Sequence, residues 1–448
     1  MTFPTARPDR CVDSFATVHT GSRIEWELGG VCRRARALVA GLAVVSFTTL
    51  TATRALAQAP RDRWIATWTT SLIGALPYAF AGSGSDSGLV LTGRTLRQIV
   101  RVSAGGSKLR LRLSNEYGLR PLVITLAHVA LSKGRAAIDP ATDRAVTFNG
   151  KPSVTIRAGA NMVSDAVTLA VPNDGDLAIS FHFAGEARGT TLHFAAHQRN
   201  YRSAAGDFVA APDFAPDTVT ERWHFVAGVD VVNPAATGVI VAIGNSITDG
   251  TAATTDANTR WPNVLAKRLM ASREPLKAVV NAGIGGNQVT SPTRGPSALE
   301  RFDRDVLMQP GVTHVIVLEG INDITRGTSP ANPADEVPAE ELIAAHQQLV
   351  NRAHERGIVI FGATLTPAGG MSGLTPEHIA KREALNRWML TSQAYDGVID
   401  FARVTRDPSD TTRFLPAYDS GDHLHPNDAG YKAMGEAIDL VIFRMKRP

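Results

Sequence analysis

Cysteine is almost missing: the 448 residues hold two, Cys11 and Cys32. Both lie in an N-terminal segment read below as removed. The mature chain is therefore expected to have no disulfide, no thiol nucleophile, no cysteine metal ligand and no lipidated N-terminal Cys. Its stability must come from an ordinary core. A charge imbalance is also lacking. Without the seven Arg and four acidic residues of positions 1–57, 39 basic and 38 acidic residues remain, which gives no electrostatic case for nucleic acid. A membrane-length apolar run is absent as well. The uncharged stretch Ala37 to Leu50 is about 14 residues, short of the ~20 that a span needs. What is present, 44% hydrophobic and 20% charged residues, is ordinary globular composition and excludes large-scale disorder.

The short apolar stretch follows Arg33, Arg34 and Arg36 and precedes Ala55, Leu56 and Ala57. That order reads as a signal peptide cleaved after Ala57, so residues 1–57 are assigned to it, with secretion or periplasmic export as the consequence. The alternative is an uncleaved anchor; after cleavage no stable membrane anchor is expected.

From Arg61 to about Val232 the pattern has period two. In KLRLRLS, Lys108 to Ser114, the leucines Leu109, Leu111 and Leu113 are expected to face a core, with Arg110 and Arg112 in water. Similar runs recur at Thr95–Val102, Leu122–Leu131, Ser153–Ile156, Ala166–Val171, Leu177–Phe183 and Thr191–Ala195. Short strands at this spacing predict a β-sandwich with jelly-roll-like connections over residues 58–235. From Gly238 onward apolar strands alternate with helices. Strands are expected at Val239–Ile243, Leu276–Val280, Val312–Leu318, Ile358–Ala363 and Val398–Phe401. The helices between them are expected at Pro262–Ser272, Ser297–Met308, Ala339–Arg356 and Pro376–Thr391, with a closing helix at Asp428–Met445. This predicts a three-layer α/β domain with a parallel sheet over residues 236–448.

Polar residues collect at the predicted strand ends, where open parallel sheets bind ligands. The first strand ends in GNSITDG, which delivers Ser246 to a turn; the second in NAGIGGN, with Asn281, Gly285, Gly286 and Asn287; the third in EGIND, with Asn322 and Asp323. Near the C-terminus GDHLHPND sets Asp422 three residues before His425. Acyl transfer needs a nucleophile, a base, a carboxylate that orients the base, and donors for the oxyanion. All four kinds are present in this order.

The four strings resemble the SGNH hydrolases, also called the GDSL esterase and lipase family. The resemblance implies a flavodoxin-like fold, with Ser246 as nucleophile, His425 as base and Asp422 as its orienting partner. It further implies Ser246 N–H, Gly286 N–H and the Asn322 side chain as the oxyanion hole, and no metal or cofactor. Two departures stand out. Asn245 and Ile247 occupy the Asp and Leu positions of GDSL, and Gly285 replaces a frequent Ser. No GxSxG occurs, so the nucleophile elbow of the α/β-hydrolases is missing. The strings WIATW, TLRQIVRVS and LRLSNEYG are similar to those of secreted bacterial acylhydrolases akin to xylan-associated esterases, which implies short acyl groups, acetyl among them, on a carbohydrate or small-molecule ester.

Competing readings are a lysophospholipase or arylesterase using the same residues, and a polysaccharide-binding protein without activity. A metal site from Asp422, His423 and His425 lacks further ligands in the sequence. His423 is expected to point away from the site in an extended segment. His314, His346 and His354 are read as core or solvated residues, and Trp64, Trp68 and Trp223 as core aromatics rather than a sugar platform.

Overall fold

Alternating apolar residues build the first part of the chain. β1 (Trp64–Thr69), β2 (Arg94–Arg101), β3 (Gly106–Ser114), β4 (Leu126–Gly134), β5 (Val167–Val171), β6 (Asp176–Phe183), β7 (Asn200–Ala205) and β8 (Val226–Val232) form its principal antiparallel sheets. One sheet runs β1-β8-β3, with β5 also on β3; the other runs β7-β2-β6-β4. The computed structural model describes residues 62–75, 88–326 and 337–447, which fall within one compact unit. The expected signal peptide and most of the Gly/Ser stretch at 81–88 lie outside the described residues.

Period two holds inside β3, where Leu109, Leu111 and Leu113 are buried. Its other face is not the wet face expected. Arg110 and Arg112 both pair with the fully buried Asp230, at 2.9 and 3.0 Å, and Arg112 also donates to Gln309 Oε1 at 2.7 Å. The α/β part covers that face. The run 122–131 is two strands rather than one, Leu122–Ile124 and β4. They part at Thr125, whose N–H and hydroxyl both donate to His182 O.

The second part holds five parallel strands, β9 (Gly238–Gly244), β10 (Lys277–Gly283), β11 (Val312–Leu318), β12 (Val359–Ala363) and β13 (Gly397–Ile399), in the order β10-β9-β11-β12-β13. This is the 2-1-3-4-5 doubly wound order, with its switch point between the first and third strands. The helices are α1 (Ser246–Asp249), α2 (Trp261–Ala271), α3 (Ala298–Phe302), α4 (Ile321–Arg326), α5 (Ala339–Glu355), α6 (Pro376–Thr391), α7 (Phe401–Thr405) and α8 (Asp428–Ala437). Their contacts make two groups, α2 with α8 and α7, and α5 with α3 and α6, as a sheet covered on both faces requires.

Three expected boundaries move. The closing helix stops at Ala437 because Ile438 is extended and Asp439 caps a separate 3-10 turn, Leu440–Arg444. The segment Ser297–Met308 divides into α3 and a π-helical turn, Asp303–Leu307. Phe401 opens α7 rather than closing β13, since the Asp400 side chain caps Arg403 N–H at 3.1 Å.

The two parts share one continuous apolar core. β1 lies along the edge of the parallel sheet, where Ala66 N–H reaches Pro310 O at 2.8 Å and Val279 N–H reaches Ser103 Oγ at 3.0 Å. Trp68 and Trp223 are buried and meet edge to face at 5.0 Å, while Arg110 covers the Trp64 ring at 4.6 Å. None of the three forms a free aromatic platform.

Candidate active site

β9 is buried along its whole length and ends at Gly244. A Cβ there would stand 2.2 Å from Thr248 Oγ1 and 2.5 Å from Leu318 O, so only glycine lets the chain turn this tightly. Asn245 then caps a single helical turn by accepting Ile247 N–H at 3.0 Å. Ser246 opens that turn, 6% exposed. The nucleophile candidate thus stands at the strand-end turn expected, and that turn is a single turn of helix.

The C-terminal string approaches from 179 residues away in sequence, with His425 Nε2 2.8 Å from Ser246 Oγ. His425 Nδ1 lies 2.5 Å from Asp422 Oδ2, and Asp422 Oδ1 accepts the N–H groups of Leu424 and His425 at 2.9 and 2.8 Å. Partial burial raises the Asp422 pKa, but the hydrogen bonds from the His425 ring and from these N–H groups outweigh it and hold the carboxyl well below the ordinary range. Because the carboxylate can only accept, the proton sits on Nδ1 and Nε2 is free to take one from Ser246. His423, two residues away, is in a left-handed bend (φ +63°) and pairs with Asp419 at 2.5 Å. It leaves the site through that bend, not through the extended conformation expected.

The second and third strands deliver donors. Gly286 sits at φ +77°, a conformation that favours glycine. Among the described residues neither its N–H nor that of Ser246 has a protein acceptor. Asn322 is buried and held by two hydrogen bonds: its side-chain Nδ2 donates to Asn287 O at 2.8 Å, and its backbone O accepts Gln288 Nε2 at 2.9 Å. The second Nδ2–H is left for a ligand. Asp323 holds the same loop by accepting Val289 N–H at 2.9 Å and Thr290 N–H at 3.0 Å.

Arg301 on α3, fully enclosed, was not legible as a site residue. Its guanidinium reaches Gly244 O at 3.0 Å, Ala282 O at 2.6 Å, Asn287 Oδ1 at 2.9 Å and Asp305 Oδ2 at 3.1 Å. It thereby ties two strand ends to the donor loop. Glu319, from EGIND, is also fully buried, and burial pushes its carboxyl well above the usual range. The Asn245 amide faces it, although Asn245 Nδ2 and Glu319 Oε1 complete no hydrogen bond of good geometry. This accounts for one departure from GDSL, since an Asp at 245 would bury a second carboxylate beside Glu319. The other has a steric reason. A Cβ on Gly285 would already press on the Phe194 ring at 3.3 Å.

Among the described residues no group of three His, Cys, Asp or Glu side chains is placed to hold a metal ion, and no helix is long and apolar enough to cross a membrane. His346 is buried against Tyr395 OH at 2.6 Å, His314 reaches Met445 O at 3.1 Å, and His354 pairs with Asp396 at 3.1 Å.

Residues 242–433 match the model of the GDSL-like lipase/acylhydrolase family. No curated protein shows significant similarity to the chain. Among solved structures, similarity extends to a proposed lipolytic protein of the G-D-S-L family from Desulfitobacterium hafniense DCB-2, at 26% identity and TM-score 0.34, over 45% of this chain and 97% of that one. A GDSL-like lipase from Bacteroides thetaiotaomicron VPI-5482 aligns at 18% identity and TM-score 0.36, over 46% and 89% of the two chains. A catalytic mutant of Axe2, an acetylxylan esterase from Geobacillus stearothermophilus, aligns at 22% identity and TM-score 0.36, over 45% and 93%. With the family's four strings gathered at one end of a parallel sheet, residues 242–433 are a domain of the GDSL-like lipase/acylhydrolase family and the chain is a carboxylic ester hydrolase.

Proposed function

We propose that this chain is an exported serine esterase that removes short acyl groups, acetyl foremost, from carbohydrate esters through an acyl-enzyme. The observation that carries the reading is the continuous line Asp422, His425, Ser246, with the N–H groups of Ser246 and Gly286 lacking protein acceptors among the described residues. His425 Nε2 takes the Ser246 proton as Oγ bonds to the ester carbonyl carbon, and Asp422 stabilises the resulting imidazolium. Ser246 N–H, Gly286 N–H and Asn322 Nδ2 receive the oxyanion, each such donor being worth roughly 3 kcal/mol. As the intermediate collapses, His425 returns the proton to the leaving alcohol. Water then attacks the acyl carbon with His425 again as base, releasing the acid and restoring Ser246.

Short acyl groups are supported by the resemblance of the upstream strings and by Phe194, whose ring stands against the donor loop at Gly285. We read the two antiparallel sheets as a sandwich with jelly-roll-like connections, since successive strands from β1 to β6 alternate between them.

The test is hydrolysis of nitrophenyl esters from acetyl to palmitoyl, and of acetylated xylan, by the chain lacking residues 1–57 and by its Ser246→Ala variant. Fast acetyl turnover that Ser246→Ala abolishes is expected. Turnover that survives Ser246→Ala overturns the nucleophile, and preference for long chains overturns the acyl class.

A further inference from the structure

We infer that His193, contributed by the β-rich part, is a positioning residue for the oxyanion loop and acts through Asp249. The inference rests on the serine esterase reading above. His193 lies on the strand Thr191–His193, which pairs with Trp223–His224 on one side and Ile73–Gly74 on the other. Its ring is 2% exposed, and both nitrogens are occupied: Nδ1 is 3.0 Å from Ser71 O and Nε2 is 2.9 Å from Asp249 Oδ1. Asp249 belongs to GNSITDG, three residues after the nucleophile, and its Oδ2 accepts the Gly285 N–H at 2.9 Å. The next residue is Gly286, an oxyanion donor in that reading.

The proton count follows from the partners. Ser71 O is a carbonyl and only accepts, so Nδ1 carries a proton. An ionised Asp249 accepts from Gly285 and also faces Nε2, which must then carry a proton too. Burial disfavours the Asp249 carboxylate, but the His193 ring beside it outweighs that and holds its pKa below the ordinary value, which puts the proton of this contact on Nε2 and makes the pair a buried imidazolium and carboxylate. Burial opposes the charged ring, but the Asp249 carboxylate and Ser71 O hold its pKa above the ordinary value. The other ionisable groups around it are Arg260 and His197. Arg260 donates through Nε to Asp249 O at 2.7 Å and through a second nitrogen to Ala196 O, and His197 lies beside Asp249 and is held neutral by burial.

Two consequences reach the chemistry. The fixed Asp249 rotamer sets where Gly285 sits, and hence where the Gly286 N–H points. The imidazolium also cancels a carboxylate charge that would otherwise oppose a developing oxyanion one residue away from its partner. A displaced donor should lower kcat while leaving ground-state binding almost untouched.

The experiment uses the chain from residue 58 onward, with active sites counted by stoichiometric inactivation with a nitrophenyl phosphonate, so that misfolded molecules drop out. His193→Phe and Asp249→Ala are each expected to lose about 10- to 100-fold in kcat per titrated site, with KM within about twofold. Asp249→Asn is expected to recover most of that loss. Its Oδ1 can accept from Gly285 while its amide donates to a neutral His193, so the hydrogen bonds close without charge. The double variant His193→Phe/Asp249→Ala should be no slower than Asp249→Ala alone, because the two residues act in series. Wild-type kcat per titrated site in Asp249→Ala, or additive losses in the double variant, overturns the inference. If His193→Phe yields no folded protein, the comparison of Asp249→Ala with Asp249→Asn decides alone, equal losses in the two counting against it. Ser246→Ala is run alongside: turnover there would refute the serine reading itself, a result that none of the other variants can mimic.

Discussion

Two histidine–aspartate pairs flank Ser246, and their surroundings are opposite. In one, Asp422 and His425 are three residues apart and the carboxylate side chain is 50% exposed. In the other, His193 and Asp249 are 56 residues apart and their side chains are 2% and 5% exposed. The first pair leaves one ring nitrogen facing Ser246, which the proposed mechanism uses to pass a proton. The second has every hydrogen-bonding atom committed and cannot change without disturbing its neighbours. Burial therefore separates the two: under the proposed mechanism the same two side chains act as moving parts at a solvent edge, and in the core they form a strut. A buried pair that loses one member leaves an uncompensated charge, which costs about 3–5 kcal/mol; an exposed pair does not.

The largest effect is expected at His425. His425→Ala should lower kcat by about 10⁴- to 10⁶-fold while the melting temperature, followed by circular dichroism, stays close to wild type. A large fall in melting temperature would mean that the exposed pair is also structural. Next in size is the donor side of the site. Asn322→Ala is expected to lower kcat about 10²- to 10³-fold with little change in KM, measured on nitrophenyl acetate; an equal rise in KM would assign Asn322 to ground-state binding instead.

A separate prediction concerns the pH dependence of stability, and it separates the buried histidines from one another. Burial holds His197, His224, His314 and His346 neutral down to about 4. The unfolded chain protonates such groups near 6.5, so it binds more protons between those values and stability falls as pH drops from about 6.5 towards 4. His193 has the opposite sign. Its raised pKa contributes stability that is fully present below about 6.5 and is lost as pH rises through its folded value. Urea unfolding at pH 4.5, 5.5 and 7.0 should show the acid loss in the wild type. Stability flat over that range would mean that these rings gain protons without unfolding.

Much of the site was legible because its strings are local. GNSITDG, NAGIGGN, EGIND and GDHLHPND each carry a residue that the tertiary structure places at one end of the sheet, and period two was enough to find Leu109, Leu111 and Leu113. Alternation says which face a residue takes but not what covers that face. Arg112 was therefore expected in water, and it instead reaches Gln309, 197 residues away. Arg301 drew no assignment from the sequence, since nothing there marks an arginine whose guanidinium will meet two backbone carbonyls, an amide oxygen, a hydroxyl and a carboxylate.

The order of elements, the parallel sheet and the candidacy of Ser246, Asp422 and His425 could be read from the sequence alone, because apolar periodicity and short strings at strand ends are properties of neighbouring residues. It took the folded chain to show that the β-rich part shares one core with the α/β part, that Arg301 reaches Ser71, 230 residues away in sequence, while also holding Asn287, and that His193 grips Asp249. The physical reason is that burial and hydrogen-bond partners are set by what comes to lie alongside a residue, and a linear pattern carries no record of that distance.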